Sequence, residues 1–369
     1  MHILILNWRD IENPMAGGAE VLTHEMAKRW VDQGNRVTLF TSSFAGAPAG
    51  ENLEGVRIIR RGKWWNVQIW AFFYYIFRLH HPIDIIIDEV HWYPFFSRLY
   101  AGKKVVLLVC EVANRLFFHL FPYPLALLGR GIEKIYFFLN KTVPALTISP
   151  STKQDLIQEG FKEENITVLP MGLTLPKVAR AYKKQIKPTF LFVGRIHPLK
   201  GVSDAIDAMG IIRATLPQSQ LWIVGNGQPS YVFKLRKRTH DLHLNKCIHF
   251  LGYVSEEEKV KLFQQAHLLF APSVQEGWGL TVPEAAYQGT PAVAYNTSGL
   301  RDVVVNGVTG ILTDNNTPEE LAKAALGLWE NNKLYGRFQK AGKARSHTMS
   351  WDKTASVAFG VLERVHHTL

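Results

Sequence analysis

Apolar residues along this chain fall into short runs that alternate with stretches of helical spacing. His2 to Asn7 is the first run; a loop follows, then a helix-like stretch from Gly18 to Gln33, then Gly34-Asn35 and a second run from Arg36 to Thr41. A short apolar run bounded by turn residues reads as a buried strand, and strand, helix, strand reads as a βαβ unit. The alternation continues with predicted strands at 55–59, 84–87, 104–109 and 145–148 and helices at 67–79 and 124–140. After Val168-Leu169-Pro170-Met171-Gly172, a polar segment with Pro176, Lys177, Lys183, Lys184 and Lys187 runs to Pro188 and reads as a linker. Beyond it come strands at 189–193, 220–224, 248–251, 268–271 and 291–294, with helices at 201–214, 256–266 and 282–288. The pattern predicts two Rossmann-like α/β domains with doubly wound parallel sheets, at 1–172 and 173–349. A last helix-like stretch, Trp351 to His366, has no strand after it.

A length of 369 residues suits two such domains, and 47% apolar with 20% charged residues argues against disorder and coiled coil. The longest apolar run, Ile69 to Phe77, is nine residues, whereas a membrane-crossing helix needs about 20. The start of the chain has no basic stretch before its apolar run and no A-x-A-like site, so a cytoplasmic location is expected. Two cysteines make no disulfide framework, and without a CxxC or H-E-x-x-H pattern no metal and no cofactor is expected.

Charge changes the picture more. The net charge is +11, with 18 Lys and Arg against 16 Asp and Glu up to residue 175 and 24 against 15 after it. The second half therefore suits anionic partners, which include nucleic acids, phosphorylated small molecules and acidic lipid.

Three motifs narrow that choice. Gly17-Gly18-Ala19-Glu20 opens the first helix, where free N–H groups and the helix dipole favour an anion; a plain Gly-Gly turn accounts for it equally well. The dinucleotide fingerprint G-x-G-x-x-G is absent there, and Gly225-Asn226-Gly227-Gln228-Pro229-Ser230 lacks its third glycine, which disfavours NAD. Gly194-Arg195-Ile196-His197-Pro198-Leu199-Lys200-Gly201 lies after the first strand of the second domain, at the sheet edge where open α/β folds bind ligands. Arg195 and Lys200 there suit a diphosphate, against the plainer reading as solvated surface cations.

The third motif is Glu276-Gly277-Trp278-Gly279-Leu280-Thr281-Val282-Pro283-Glu284. Thr281 is placed to cap the following helix, Pro283 suits its first turn, and Glu284 suits its positive end without needing any substrate. Glu276, in a Gly-flanked loop, has no such structural excuse. Eight residues of helix span roughly 12 Å, too far for the carboxyl pair of a retaining hydrolase, so two contacts along one elongated ligand fit better.

Taken in order, GGAE, GR-x4-KG and E-x7-E resemble the retaining glycosyltransferases of the GT-B architecture, in which two Rossmann-like domains face each other across a cleft. The resemblance covers nearly the whole chain. It implies that Glu284 holds the nucleotide ribose, Glu276 the hydroxyls of the transferred sugar, and Arg195 and Lys200 the diphosphate. The backbone of Gly279, Leu280 and Thr281 and the Gly17-Gly18 turn would assist, with Val254 beside the base. It implies also a first domain for the acceptor, a last helix at 350–369 that crosses back to that domain, and a UDP- or GDP-sugar donor. No D-x-D triplet occurs, which fits cations in place of a metal. One departure stands out: similar enzymes often place a His at the end of the strand Val105 to Val109, where this chain has Cys110. Glu111, or Glu89 with His91, are the candidates to substitute, against a plain reading of Cys110 as a small buried hydrophobe.

Arg57, Arg60, Arg61 and Lys63 adjoin the aromatic stretch Trp64 to Phe77, and a second aromatic segment covers 116–128. Cations beside Trp and Tyr suit the interface of an anionic membrane; a helix packed within the domain suits them equally. The expected function is transfer of a hexose from a nucleotide-sugar to a glycan or lipid-linked acceptor in cell-surface polysaccharide or glycolipid synthesis, at the inner membrane face. The competing readings are an epimerase or phosphorylase on the same fold and a non-catalytic basic protein; no nucleic-acid motif is present to support the latter. His80-His81, His240 with His243, and His366-His367 read as surface or turn residues, and Thr152 to Asp155 as a capping box.

Overall fold

The computed structural model describes residues 1–79, 83–91, 94–114, 116–174 and 180–368; Pro176, Lys177, His80 and His81 lie outside them. The chain divides into two compact units, Met1–Gly172 with Ser350–Leu369, and Leu173–Met349.

Unit 1 is built on eight strands: β1 (His2–Leu6), β2 (Arg36–Thr41), β3 (Gly50–Leu53), β4 (Val56–Arg60), β5 (Ile85–Val90), β6 (Val105–Val109), β7 (Ala145–Thr147) and β8 (Ile166–Val168). Their order across the sheet is β3-β4-β2-β1-β5-β6-β7-β8. Every pairing is parallel except β3 with β4, an antiparallel edge hairpin that the sequence pattern does not reveal because β3 alternates only between exposed and half-buried residues. β1, β5 and β6 are buried along their whole length, as central strands covered on both faces must be. The helices are α1 (Gly18–Asp32), α2 (Val67–Tyr74), α3 (Arg98–Ala101), α4 (Leu116–Leu120), α5 (Tyr123–Asn140) and α6 (Pro150–Gln158). The helix expected over 67–79 changes at Tyr75 into one π-helical turn, Tyr75–Leu79. Ser149, not Thr152, caps α6, its side chain accepting the Thr152 N–H at 3.1 Å.

Unit 2 carries β9 (Thr189–Val193), α7 (Val202–Thr215), β10 (Gln220–Val224), α8 (Pro229–Asp241), β11 (Ile248–Gly252), α9 (Glu256–Gln265), β12 (Leu268–Ala271), α10 (Thr281–Tyr287), β13 (Ala292–Ala294), α11 (Leu300–Val303), β14 (Gly310–Leu312), α12 (Pro318–Glu330) and α13 (Asn332–Ser346). Its six parallel strands run β11-β10-β9-β12-β13-β14. Phe190 stacks on Phe270 between β9 and β12, with ring centroids 5.0 Å apart, at the centre of this unit's core. The segment read as a linker is partly built into unit 2. Lys184 donates to Thr290 Oγ1 at 2.6 Å and to the Ala266 carbonyl, and the Tyr182 N–H donates to Gln264.

The last helix, α14 (Trp351–His367), belongs to unit 1. The Trp30 indole N–H of α1 donates to the Ala355 carbonyl at 3.0 Å, Arg29 pairs with Asp352, and Thr354 bonds the Pro170 carbonyl.

Both sheets reverse their winding at a definite place. In unit 1 the chain leaves β1 towards β2, while β5, on the other side of β1, leads away to β6. In unit 2 β9 has β10 on one side and β12 on the other. Open parallel sheets bind ligands at the carboxyl ends of the strands flanking such a switch point.

Candidate functional site

The β9 side of the unit 2 switch point is a turn held open by geometry. After Gly194 and Arg195 the chain makes a single 3₁₀ turn, Pro198–Lys200, whose start is capped by His197 Nδ1 accepting the Leu199 N–H at 3.3 Å. Gly201 then takes φ +67°, and a Cβ there would fall 2.0 Å from the Pro272 carbonyl oxygen. Glycine is needed both for the left-handed backbone and for that approach. The Val274 N–H donates to the Leu199 carbonyl at 2.9 Å, fastening the turn to the loop after β12. The glycines at 225 and 227 have a similar use: Ile196 N–H donates to the Asn226 carbonyl at 2.8 Å, and a Cβ on Gly225 would meet the Gly194 oxygen at 1.9 Å. They bring two backbones together rather than cradling a dinucleotide.

That fastening places Lys200 Nζ 2.6 Å from Glu276 Oε1, which also accepts from Ser273 Oγ at 3.0 Å. Both side chains stay partly open to solvent, at 23% and 18%. Arg195 is exposed. His197 lies near both cations: burial lowers its pKa, and the positive fields of Arg195 and Lys200 lower it further, so the ring is held neutral. Lys200 and Glu276 thus meet beside this switch point, with Arg195 and His197 in the same loop after β9.

Glu284 sits elsewhere on the same edge, against α9. Its Oε2 is 3.2 Å from Lys259 Nζ, in ion-pair contact without hydrogen-bond alignment, and Lys259 also holds Glu256 at 2.8 Å. Burial pushes the Glu284 carboxyl up, Lys259 pulls it back, and Glu256 adds to the rise. Lys259 was not identified from the sequence. Its signal there is faint, a single Lys behind three acidic residues, Glu256 to Glu258. Thr281 is not the cap: it is the first residue of α10, with Leu280 before it in right-handed helical conformation and no side-chain cap. Gly279 takes φ +86°, and its carbonyl accepts the Val282 N–H at 3.0 Å. Val254 is half-buried between β11 and α9, packed against the core.

In unit 1 the Gly17-Gly18 turn is partly spoken for. Gly17 N–H donates to Glu20 Oε2 at 2.7 Å, so the glutamate of GGAE satisfies a donor that the motif offered to an anion. At the switch point, Asn7 follows β1 and Glu89 and Val90 end β5. Asn7 Nδ2 and Thr23 Oγ1 each donate to Glu89 Oε2 at 2.6 Å. His91 Nε2 lies 3.1 Å from Asn7 Oδ1 and 3.3 Å from Glu89 Oε1, and its ring stacks on Trp8 with centroids 5.0 Å apart. Glu89 is fully buried, and its pKa is raised by that burial and by nearby Glu20, against His91 and Thr23. Cys110 is buried at the end of β6; burial and the fields of Glu89, Glu20 and Glu111 hold its thiol protonated. Glu111, the next residue, is half-buried.

The aromatic segments divide by face. Val67, Gln68, Ala71 and Tyr75 are buried against unit 1, while Trp64, Trp65, Ile69, Trp70, Phe73 and Phe77 are exposed. Phe118, Phe121, Tyr123 and Leu128 are exposed also, whereas Phe117 is buried. Arg60 is not a surface cation. It is fully buried and forks onto Asp10, Nε to Oδ2 at 2.7 Å and NH2 to Oδ1 at 2.9 Å, with Glu51 beside it. Among the described residues no cluster of three or more His, Cys, Asp or Glu is arranged to hold a metal, and no helix is long and apolar enough to cross a membrane. His240 and His243 are exposed.

Two α/β units built on parallel sheets in this way make the GT-B fold. Sucrose-phosphate synthase from Thermosynechococcus elongatus superposes with a TM-score of 0.83 at 17% identity over all of both chains. Anabaena Alr3699/HepE, solved with UDP and glucose, gives 0.72 at 18% identity, again over all of both chains. The family model for glycosyl transferases group 1 matches residues 177–345, and that for glycosyltransferase family 4 matches residues 16–175. The chain belongs to the group 1 glycosyltransferases, and its activity is glycosyl transfer. Among curated relatives, the D-inositol 3-phosphate glycosyltransferase of Paenarthrobacter aurescens (strain TC1) is 25% identical over 97% of this chain and 96% of its own length.

Proposed function

We propose that this chain is a retaining, metal-independent hexosyltransferase that uses a UDP- or GDP-sugar. The observation that carries the reading is the Lys200–Glu276 pair at 2.6 Å beside the unit 2 switch point, with Arg195 and His197 around it. Departure of a nucleoside diphosphate builds negative charge while the sugar becomes oxocarbenium-like. Lys200 and Arg195 answer the first, and the carboxylate of Glu276 is free to take sugar hydroxyls once Lys200 turns to phosphate. The donor thus replaces one ion pair by two sets of charge-assisted contacts. Glu284, freed from Lys259, takes the ribose hydroxyls. The leaving phosphate accepts the acceptor proton, which keeps the new bond on the face the old one left. That a fold neighbour was solved with UDP and glucose supports a nucleotide-sugar donor.

A thermal-shift screen tests this directly, because a ligand that binds only the folded state raises its melting point. UDP- or GDP-sugars should raise it in the native protein, and Glu284→Ala should abolish the shift. An unchanged melting point across all such donors, or full transfer by both Glu284→Ala and Lys200→Ala, would remove the donor assignment. Product analysis with donor alone separates transfer from epimerisation.

The acceptor is proposed to be lipid-linked and reached at an anionic membrane surface. The exposed aromatic residues of α2 and of 116–128 support this, with Lys63, Arg57 and Arg78 exposed nearby. Co-sedimentation with phosphatidylglycerol vesicles at low salt is expected; no binding there would end the proposal.

A further inference from the structure

Unit 1 has its own switch point, and its contents follow no motif. The residues come from three elements: Asn7 just past β1, Thr23 on α1, and Glu89 and His91 at the end of β5. Glu89 is fully buried, whereas the His91 side chain is 15% exposed, so only the imidazole reaches towards solvent. The ring is tightly specified. Its Nε2 faces two acceptors, Asn7 Oδ1 at 3.1 Å and Glu89 Oε1 at 3.3 Å, so Nε2 carries the hydrogen. The Asn7 amide is fixed in turn, since its Nδ2 must donate to Glu89 Oε2 and its Oδ1 also receives the Arg9 N–H. Trp8 covers one face of the ring, and the Arg9 guanidinium lies 3.9 Å over Trp8. Nδ1 is then left as a lone-pair acceptor, and it has no partner among the described residues.

A buried acid behind a stacked imidazole of fixed tautomer is more order than a fold needs at a loop. We propose that His91 is the hydroxyl-binding residue of unit 1, its Nδ1 accepting a hydrogen bond from the acceptor hydroxyl, with Glu89 and Asn7 as its positioning residues. The inference rests on the glycosyl-transfer reading above and names the group that orients the nucleophile. Glu111 is the poorer candidate, because it follows β6, one strand further from the switch point. Cys110 offers only a weak sulfur acceptor, since its thiol is held protonated.

The test uses the full chain, with water standing in for the acceptor: nucleoside diphosphate release from UDP-glucose, UDP-galactose and GDP-mannose, with UDP and GDP binding measured by calorimetry. His91→Ala should lower release about 10²-fold, the scale on which a misoriented nucleophile acts, while nucleotide affinity stays unchanged. Added imidazole should restore part of the loss in His91→Ala and nothing in the native protein. Glu89→Gln, which keeps the shape, should cost about tenfold, again without change in nucleotide affinity. Release by His91→Ala at the native rate overturns the proposal, as does a loss that imidazole leaves untouched. So does a native protein that binds nucleotide yet releases none to water. Failure to bind either nucleotide at all overturns the donor reading instead.

Discussion

The two switch points are built on one plan and filled with opposite chemistry. In unit 2 the groups are ions of both signs, partly solvated and paired across the gap between β9 and β12. In unit 1 they are an amide, a hydroxyl, a buried acid and an imidazole, linked in series and mostly out of water. A partly exposed ion pair is cheaper to open than a buried one, so it suits a site whose partners must be exchanged for a charged ligand. A buried hydrogen-bonded chain is costly to disturb, so it suits a site that holds one group in one orientation. The fold thus supplies two equivalent switch points, and burial separates the exchangeable ion pair of one from the fixed hydrogen-bonded chain of the other.

The largest effect should come from the charged side. Lys200→Ala removes a cation from the developing diphosphate and is expected to cut transfer about 10³-fold, the upper scale for one preorganised electrostatic contact. Adding Glu276→Ala should cost less than its single effect, because the two act as a unit. On the proposed reading, in which these cations do the work of a metal, transfer should be indifferent to chelators. Steady-state rates for the single and double variants settle the point; strict additivity would show that the ion pair is only a surface contact.

How much of this was legible beforehand follows the same divide. The unit 2 candidates were legible because they come in contiguous motifs: Arg195 and Lys200 after β9, Glu276 in the loop after β12 and Glu284 on α10. Lys259 escaped notice because it reaches Glu284 from another helix, and no local spacing records that. In unit 1 the sequence offered Glu89 with His91, two residues apart, but Asn7 and Thr23 join them only through the fold. Arg60 misled for a related reason. It stands in a basic run, yet β4 turns it inward onto Asp10, and strand alternation rather than composition decided its side. Most parallel strands were legible as apolar runs, but the three-residue strands β8 and β14 and the solvated edge strand β3 carried no such run.

A smaller effect should separate function from scaffold at the opposite, amino-terminal edge of unit 2. His267, just before β12, accepts the Thr189 N–H at its Nδ1 at 3.0 Å, which requires the ring to be neutral. Burial, with help from Lys184, lowers its pKa to about 4 from the ordinary 6.5. Between those values the unfolded chain binds the proton and the folded one does not, so stability is fully present above about pH 6.5 and is lost as pH falls through 4. For a partly exposed ring the effect, after solvent screening, is about 1–2 kcal/mol. Urea midpoints at pH 7 and pH 5 should differ more in the native protein than in His267→Gln, with nucleotide binding alike in both. Equal pH dependence in the two would put the charge-sensitive part of the unit elsewhere.

The smallest effect is expected at Cys110, and it bears most directly on the contrast between the units. Its position at the end of β6 is one strand removed from the switch point, its side chain is buried, and three carboxyl groups oppose its ionisation. A thiol so placed packs and does no chemistry, and its carbonyl, which receives Thr152 Oγ1 at 3.3 Å, survives any substitution. Cys110→Ala should therefore cost about 1 kcal/mol of stability for the lost sulfur and leave transfer within about threefold of native. Should Cys110→Ala instead cripple transfer at unchanged stability, the working edge of unit 1 would extend to β6. The direction-giving role would then pass from His91 to the neighbourhood of Glu111.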